Sequence, residues 1–114
     1  MGLNLIKKPT IIGEIQRNHH GLKQFLKVNP NPFNAETTIE YGLVEDAHVE
    51  ISVYNSLGQC VTTLYRGWNS PGTHKISWKR SSTGGKSLAT GIYWIRMISD
   101  RDTIPYVRKV LVLN

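Results

Sequence analysis

From Phe25 onward the chain breaks into short runs rich in Val, Ile, Thr, Tyr and Trp, separated by Gly, Pro, Asn and Ser about every 8 to 12 residues. Within the runs, apolar and polar positions alternate with a period of two, so each run is a strand with one apolar face. The predicted strands are 26–28, 37–43, 49–54, 60–65, 73–78, 91–98 and 106–113. Alternation puts Ile39, Tyr41 and Leu43 on one side of the second strand, Val49, Ile51 and Val53 on one side of the third, and Ile76 and Trp78 on one side of the fifth. Glu40, Glu50 and Ser52 are expected to face outward. The last two strands break the alternation. Ile92, Tyr93, Trp94, Ile95, Met97 and Ile98 place apolar groups on both faces, and Val110-Leu111-Val112-Leu113 is continuously apolar. Both strands are therefore expected to be covered on each side.

Seven short strands in one stretch predict an all-β fold, an immunoglobulin-like β-sandwich of about seven antiparallel strands. The turns agree. Pro30 and Pro32 fix φ in Asn29-Pro30-Asn31-Pro32-Phe33-Asn34 and cannot donate to a ladder, which makes this run a rigid connector. Asn55-Ser56-Leu57-Gly58 reads as a tight hairpin with Gly58 at positive φ, and Ser70-Pro71-Gly72 as a turn. The longest predicted loop is 79–87. Residues 1–24 keep no sustained period, apart from Ile11, Ile12 and Ile15, which suffice for one short turn. The expected division is a linker or tail of a preceding region at 1–25 and the sandwich at 26–114.

No run approaches the roughly 18 apolar residues of a membrane span, and Met1 to Thr10 lacks the basic-then-apolar order of a signal peptide. Ile6 also stands where a myristoylation site needs Ser or Thr. The expected context is a longer protein. Net charge is +6, but residues 1–28 hold five basic groups and one acid, +4, leaving nine against seven, +2, in the sandwich with signs interspersed. That pattern lacks the basic face a nucleic-acid site needs.

Candidate chemistry is sparse. Cys60 is the one cysteine, so no disulfide forms within the chain, and its expected place is a half-buried strand position. His19 and His20 are adjacent and diverge in an extended chain, while His48 and His74 read as separate surface groups. Asp100-Arg101-Asp102 reads as a hairpin tip with too few oxygens for Ca²⁺. Thr83-Gly84-Gly85-Lys86-Ser87 imitates half of a phosphate loop, but Arg80 fills the earlier glycine position and a strand follows. Trp78 and Trp94 are expected in or against the core; Trp68, in a polar turn, is the unexplained aromatic. No nucleophile, base or metal set converges, so the expectation is a non-enzyme with no cofactor and no metal.

Six blocks together carry a resemblance: Leu26-Lys27-Val28-Asn29-Pro30-Asn31-Pro32-Phe33-Asn34, Thr37-Thr38-Ile39, Val53-Tyr54-Asn55-Ser56-Leu57-Gly58-Gln59, Pro71-Gly72-Thr73-His74 leading to Trp78, Ala89-Thr90-Gly91-Ile92-Tyr93, and Arg108-Lys109-Val110-Leu111-Val112-Leu113. In order and spacing they resemble the type A C-terminal sorting domain of the type IX secretion system, in its version similar to the immunoglobulin-like domain of flagellar hook-capping proteins. The resemblance implies a non-catalytic sorting and anchoring signal at the end of an exported protein, bound for the cell surface. The implied partner is the outer-membrane secretion machinery, with attachment to surface lipopolysaccharide after cleavage. The residues it ties to sorting are Pro30, Asn31, Pro32, Gly91, Tyr93, Lys109, Val110, Leu111, Val112 and Leu113. One departure is Trp78-Lys79-Arg80-Ser81, basic where many relatives carry an acidic or Asn-Gly turn.

Two alternatives stay open: a structural assembly module like the hook-capping domain, and an accessory carbohydrate-binding sandwich using Trp68 or Trp94. A chain end within one residue of the last strand favours the sorting signal. The strand 106–113 is either an edge strand open to strand addition or a central, doubly covered one.

Overall fold

The computed structural model describes residues 21–81 and 87–114. Seven antiparallel strands form two sheets: β1 (Phe25–Asn29), β2 (Glu36–Leu43), β3 (Ala47–Asn55), β4 (Cys60–Asn69), β5 (Gly72–Lys79), β6 (Gly91–Ser99) and β7 (Tyr106–Val112). One sheet has the order β1-β2-β5, the other β4-β3-β6-β7. This is the expected immunoglobulin-like sandwich. The tail predicted at 1–25 lies, up to residue 20, outside the described residues, as do His19, His20 and most of the 79–87 loop. No helix among the described residues is long and apolar enough to cross a membrane.

The alternating positions meet between the sheets. Leu26, Ile39, Tyr41 and Leu43 pack from one side against Val49, Ile51, Val53, Ile95, Met97, Val110 and Val112 from the other, each at most 1% exposed. Full burial of such side chains contributes about 1.5–3 kcal/mol apiece. Phe33, Trp78 and Tyr93 close one end, with ring centroids 5.2 Å apart for Phe33 and Trp78 and 6.3 Å for Trp78 and Tyr93. Gly42 lets β1 approach. A Cβ there would lie 2.3 Å from both the Lys23 carbonyl oxygen and the Phe25 ring.

Several expectations are corrected. β6 and β7 are covered on one face, because the sandwich has two layers: Tyr93, Ile95 and Met97 point inward, while Ile92, Trp94, Leu111 and Leu113 are exposed on the outer face. Trp94 is thus not a core residue, although Trp78 is. Ser52 does sit on the outer face but is buried, because Glu50 and Thr63 close over it with hydrogen bonds of 3.3 Å each. Cys60 is exposed at the mouth of the β3–β4 hairpin rather than half-buried.

Trp68 lies within β4, not in a turn, because β4 runs to Asn69. Pairing with β3 shifts register between Ile51 and Ser52 and again between Val53 and Tyr54. Leu64 and Val61 are the extra residues, and both pack partly against the core. Such bulges bend and twist a strand and interrupt its ladder.

Candidate interaction surface

The edge of β7 is the place where the sequence-predicted residues meet. β7 is the last strand of its sheet, so one row of its backbone groups has no strand partner. The connector between β1 and β2 fills that row. Asn31 uses both ends of its carboxamide: Nδ2 donates to the Lys109 carbonyl at 2.8 Å, and Oδ1 accepts from the Leu111 N–H at 3.1 Å. Two residues on, Phe33 forms a parallel bridge with Val112, its N–H donating to Leu111 O at 3.0 Å and its carbonyl accepting from Leu113 N–H at 2.8 Å. Asn34 Nδ2 donates to the Asn114 carbonyl at 2.6 Å. One side-chain amide and one residue of backbone therefore imitate a further strand.

The connector is held in turn. Both X-Pro bonds, Asn29-Pro30 and Asn31-Pro32, are cis. Buried Thr37 donates its hydroxyl to the Pro30 carbonyl at 2.6 Å, and Phe33 is anchored against Trp78. Arg80 ties the chain end down, donating to Leu88 O at 2.8 Å and to Leu113 O at 2.6 Å. The basic departure at this position is thus a carbonyl clamp. Thr90 donates to Asn114 Oδ1 at 2.8 Å beside it.

Gly91 and Tyr93 join the same corner by pairing with Val112 and Val110. Gly91 has φ 152°, outside the region L side chains favour. Tyr93 donates its hydroxyl to the Ala89 carbonyl at 2.7 Å. Val110 and Val112 are core residues, whereas Lys109, Leu111 and Leu113 face outward. Pro32 lines a hollow of about 260 Å³ with Asn31, Ile92, Lys109 and Leu111. Pro30 takes part through its carbonyl, which accepts from Thr37. The last strand is therefore neither of the two alternatives posed by the sequence: it is at an edge, but the edge is sealed from Lys109 to Leu113.

Along the outer face, cross-strand pairs set Leu111 beside Ile92, Lys109 beside Trp94 and Val107 beside Arg96. A second hollow, about 330 Å³, lies among Tyr54, Asn55, Ser56, Gly58, Trp94, Arg96 and Val107. The Arg96 guanidinium stacks 4.7 Å from the Tyr54 ring and donates to its hydroxyl at 2.5 Å, while its Nε is buried with no hydrogen-bond partner. The sequence reading passes over Arg96, and it names Phe33 within the connector and Arg80 within the basic departure, with no role in holding the edge. An arginine in the middle of the apolar run 92–98 was the available signal.

The opposite end holds polar groups already engaged with one another. Asp100 accepts from the His48 N–H at 3.0 Å, Asp102 from Gln24 at 2.7 Å, and Arg101 pairs with Asp46 at 3.6 Å. Trp68 packs edge-on against His48 at 5.7 Å and is 61% exposed. Trp94 aligns with Tyr54 and Trp68 with His48, six residues apart along β3 or about 20 Å, so the two indoles do not form one platform. His74 stacks on Tyr41 at 5.3 Å rather than standing free. Burial, and then the neighbouring Tyr65, push the Tyr41 hydroxyl up to about 12. The Arg66 hydrogen bond holds the Glu50 carboxyl below its usual value. Among the described residues no group of three or more His, Cys, Asp or Glu is placed to hold a metal ion. The corner presents amides, carbonyls and aliphatic groups together with the Lys109 ammonium, the Arg80 guanidinium and the Tyr93 hydroxyl.

The family model of the FlgD Ig-like domain matches residues 31–102, 72 of the 114 residues. The chain belongs to the FlgD Ig-like domain family. The match to this FlgD Ig-like domain ends before β7, and none of the curated proteins matches the chain. Among solved structures it is similar to dimeric latent PorU from Porphyromonas gingivalis, with TM-score 0.63 and 18% identity over 77% of this chain. It is also similar to PorZ of the same organism, a bacterial surface component of the type IX secretion system, with TM-score 0.53 and 18% identity over 78% of this chain. The Ig-like domain spans only 9% and 11% of those two chains. At that identity the likeness establishes the shared sandwich.

Proposed function

We propose that this Ig-like domain is a non-catalytic sorting and anchoring signal that directs an exported protein through the type IX secretion system to the cell surface. The observation that carries the reading is convergence. Asn31 and Pro32 from the connector, Gly91 and Tyr93 from β6, and Lys109 to Leu113 from β7 are far apart in sequence yet meet at one corner. The likeness to PorZ, itself a surface component of that system, supports the same setting. The partner in this reading is the outer-membrane secretion machinery, followed by cleavage and attachment to surface lipopolysaccharide. Sugar binding draws no comparable support from the geometry, since the exposed Trp68 and Trp94 stand apart, and a hook-capping role rests on the family match alone.

The test fuses the whole chain behind a signal peptide and a reporter in a bacterium that has the secretion system. The reporter is expected at the cell surface, and in the periplasm when the secretion system is deleted. Periplasmic retention of a folded, intact fusion in the competent strain would refute the reading. Removing 109–114 is a poor control, because Val110 and Val112 are wholly buried and their loss is expected to unfold the domain.

A further inference from the structure

With the β7 edge sealed from Lys109 to Leu113, the outer face of β6 and β7 beside it remains open to a partner. Five of the exposed large apolar side chains lie in the two neighbouring rows: Ile92 and Trp94 on β6, Val107 and Leu111 on β7, and Leu113 just beyond it, between 36% and 42% exposed. Contiguous apolar surface of this kind marks interaction sites. Two cations are embedded in it: Lys109, which forms no ion pair among the described residues, and Arg96, which is engaged by Tyr54 and whose charge also acts on the Glu50 carboxylate. Arg96 Nε is also buried without a partner. An apolar face with the Lys109 ammonium unpaired at its centre complements a ligand that is apolar and acidic at once.

The spacing gives that ligand a pattern. Val107, Lys109 and Leu111 are successive outward residues of β7, so the Val107 and Leu111 positions, one at each hollow, are four residues or about 13 Å apart. An extended peptide lying along β7 presents residues i, i+2 and i+4 on one face with the same spacing. Its apolar residues i and i+4 would enter the two hollows, and residue i+2 would face Lys109. We propose that the outer face of β6 and β7 docks an extended segment of the secretion partner with the pattern apolar, acidic, apolar at alternate positions. Recognition then comes from the sheet face, not from strand addition at the edge. This inference rests on the sorting reading for the identity of the partner, though not for the chemistry of the face.

The probe is a synthetic nonapeptide with Leu at positions 3 and 7, Glu at position 5 and Ser or Thr elsewhere, titrated into the ¹⁵N-labelled full chain. Amide shifts are expected at Ile92 to Arg96 and Val107 to Leu111, with binding at least tenfold weaker for the twin carrying Lys at position 5. The Lys109→Glu chain should reverse that preference. Equal binding of both peptides, shifts centred on β4, no binding, or binding only to anionic vesicles would overturn the proposal. In the export assay the variant Ile92→Ser/Lys109→Glu, checked for an unchanged thermal midpoint, is expected to reduce surface reporter at least fivefold. Normal export of that variant sinks the face proposal and leaves the sorting reading standing; failure of the unmodified domain sinks the sorting reading instead.

Discussion

At the β7 edge of the four-stranded sheet, four backbone groups between Lys109 and Leu113 are hydrogen-bonded by Asn31 and Phe33. At the β4 edge no segment among the described residues plays that part; the strand instead departs twice from regular pairing, at Leu64 and Val61. An open edge is a template for pairing with another chain, and both devices suppress it, one by occupying the hydrogen bonds and the other by bending the strand. In the docking proposed for this domain, the sealed edge makes its neighbouring face the recognition surface, whereas a bulged edge needs no dedicated cover.

The largest expected effect comes from breaking the seal at its anchor. Phe33→Ala removes a buried ring that packs on Trp78 and should cost about 3–5 kcal/mol, read as a lower urea midpoint. Gly42→Ala tests the other end of β2, because the added methyl must displace the Phe25 ring and the Lys23 backbone; a loss of about 1–3 kcal/mol is expected. Asn31→Ala should cost at most about 0.5–1.5 kcal/mol, because the Leu111 N–H and Lys109 carbonyl it releases lie in solvent and can bind water instead. Its sharper signature is faster hydrogen exchange at the Leu111 amide with the β4 amides unchanged. An unchanged Leu111 rate would mean that Asn31 does not seal the edge.

The β4 side is tested by pH. Tyr41 on β2 donates its hydroxyl to Asn69 at the end of β4, at 2.6 Å, and its pKa is raised from 10.0 to about 12. The folded state holds this proton more tightly than the unfolded state, so the stability it adds is complete below pH 10 and lost as pH rises towards 12, by at most about 2–3 kcal/mol. Tyr41→Phe should flatten that alkaline fall in a series of melts. The smallest effect belongs to Glu50, whose carboxyl is held low by Arg66. Its contribution is present above the usual carboxylate pKa and disappears as pH falls through the lowered value. Because this pair lies in solvent, Glu50→Gln should barely move the acid limb, and that limb should shrink further in salt.

The strands were legible because a period of two is a local property: all seven predicted runs are strands, and inward positions such as Ile39, Val49 and Ile51 read directly off the alternation. The candidate corner was legible only as separate blocks. Lys109 and Asn31 are 78 positions apart, and nothing local in either segment states that one carboxamide will pair with the other's backbone. The exposed face of β6 and β7 was misread for a related reason. A doubly apolar strand reports that two faces seek cover, but only the count of layers says whether the second face finds it within the chain. Composition and periodicity thus determined the class of fold, the strands and the chemistry on offer. Long-range packing decided which edge is closed, which apolar face remains open and which charges stay unpaired, because those depend on what a segment meets across the sandwich rather than on its own residues.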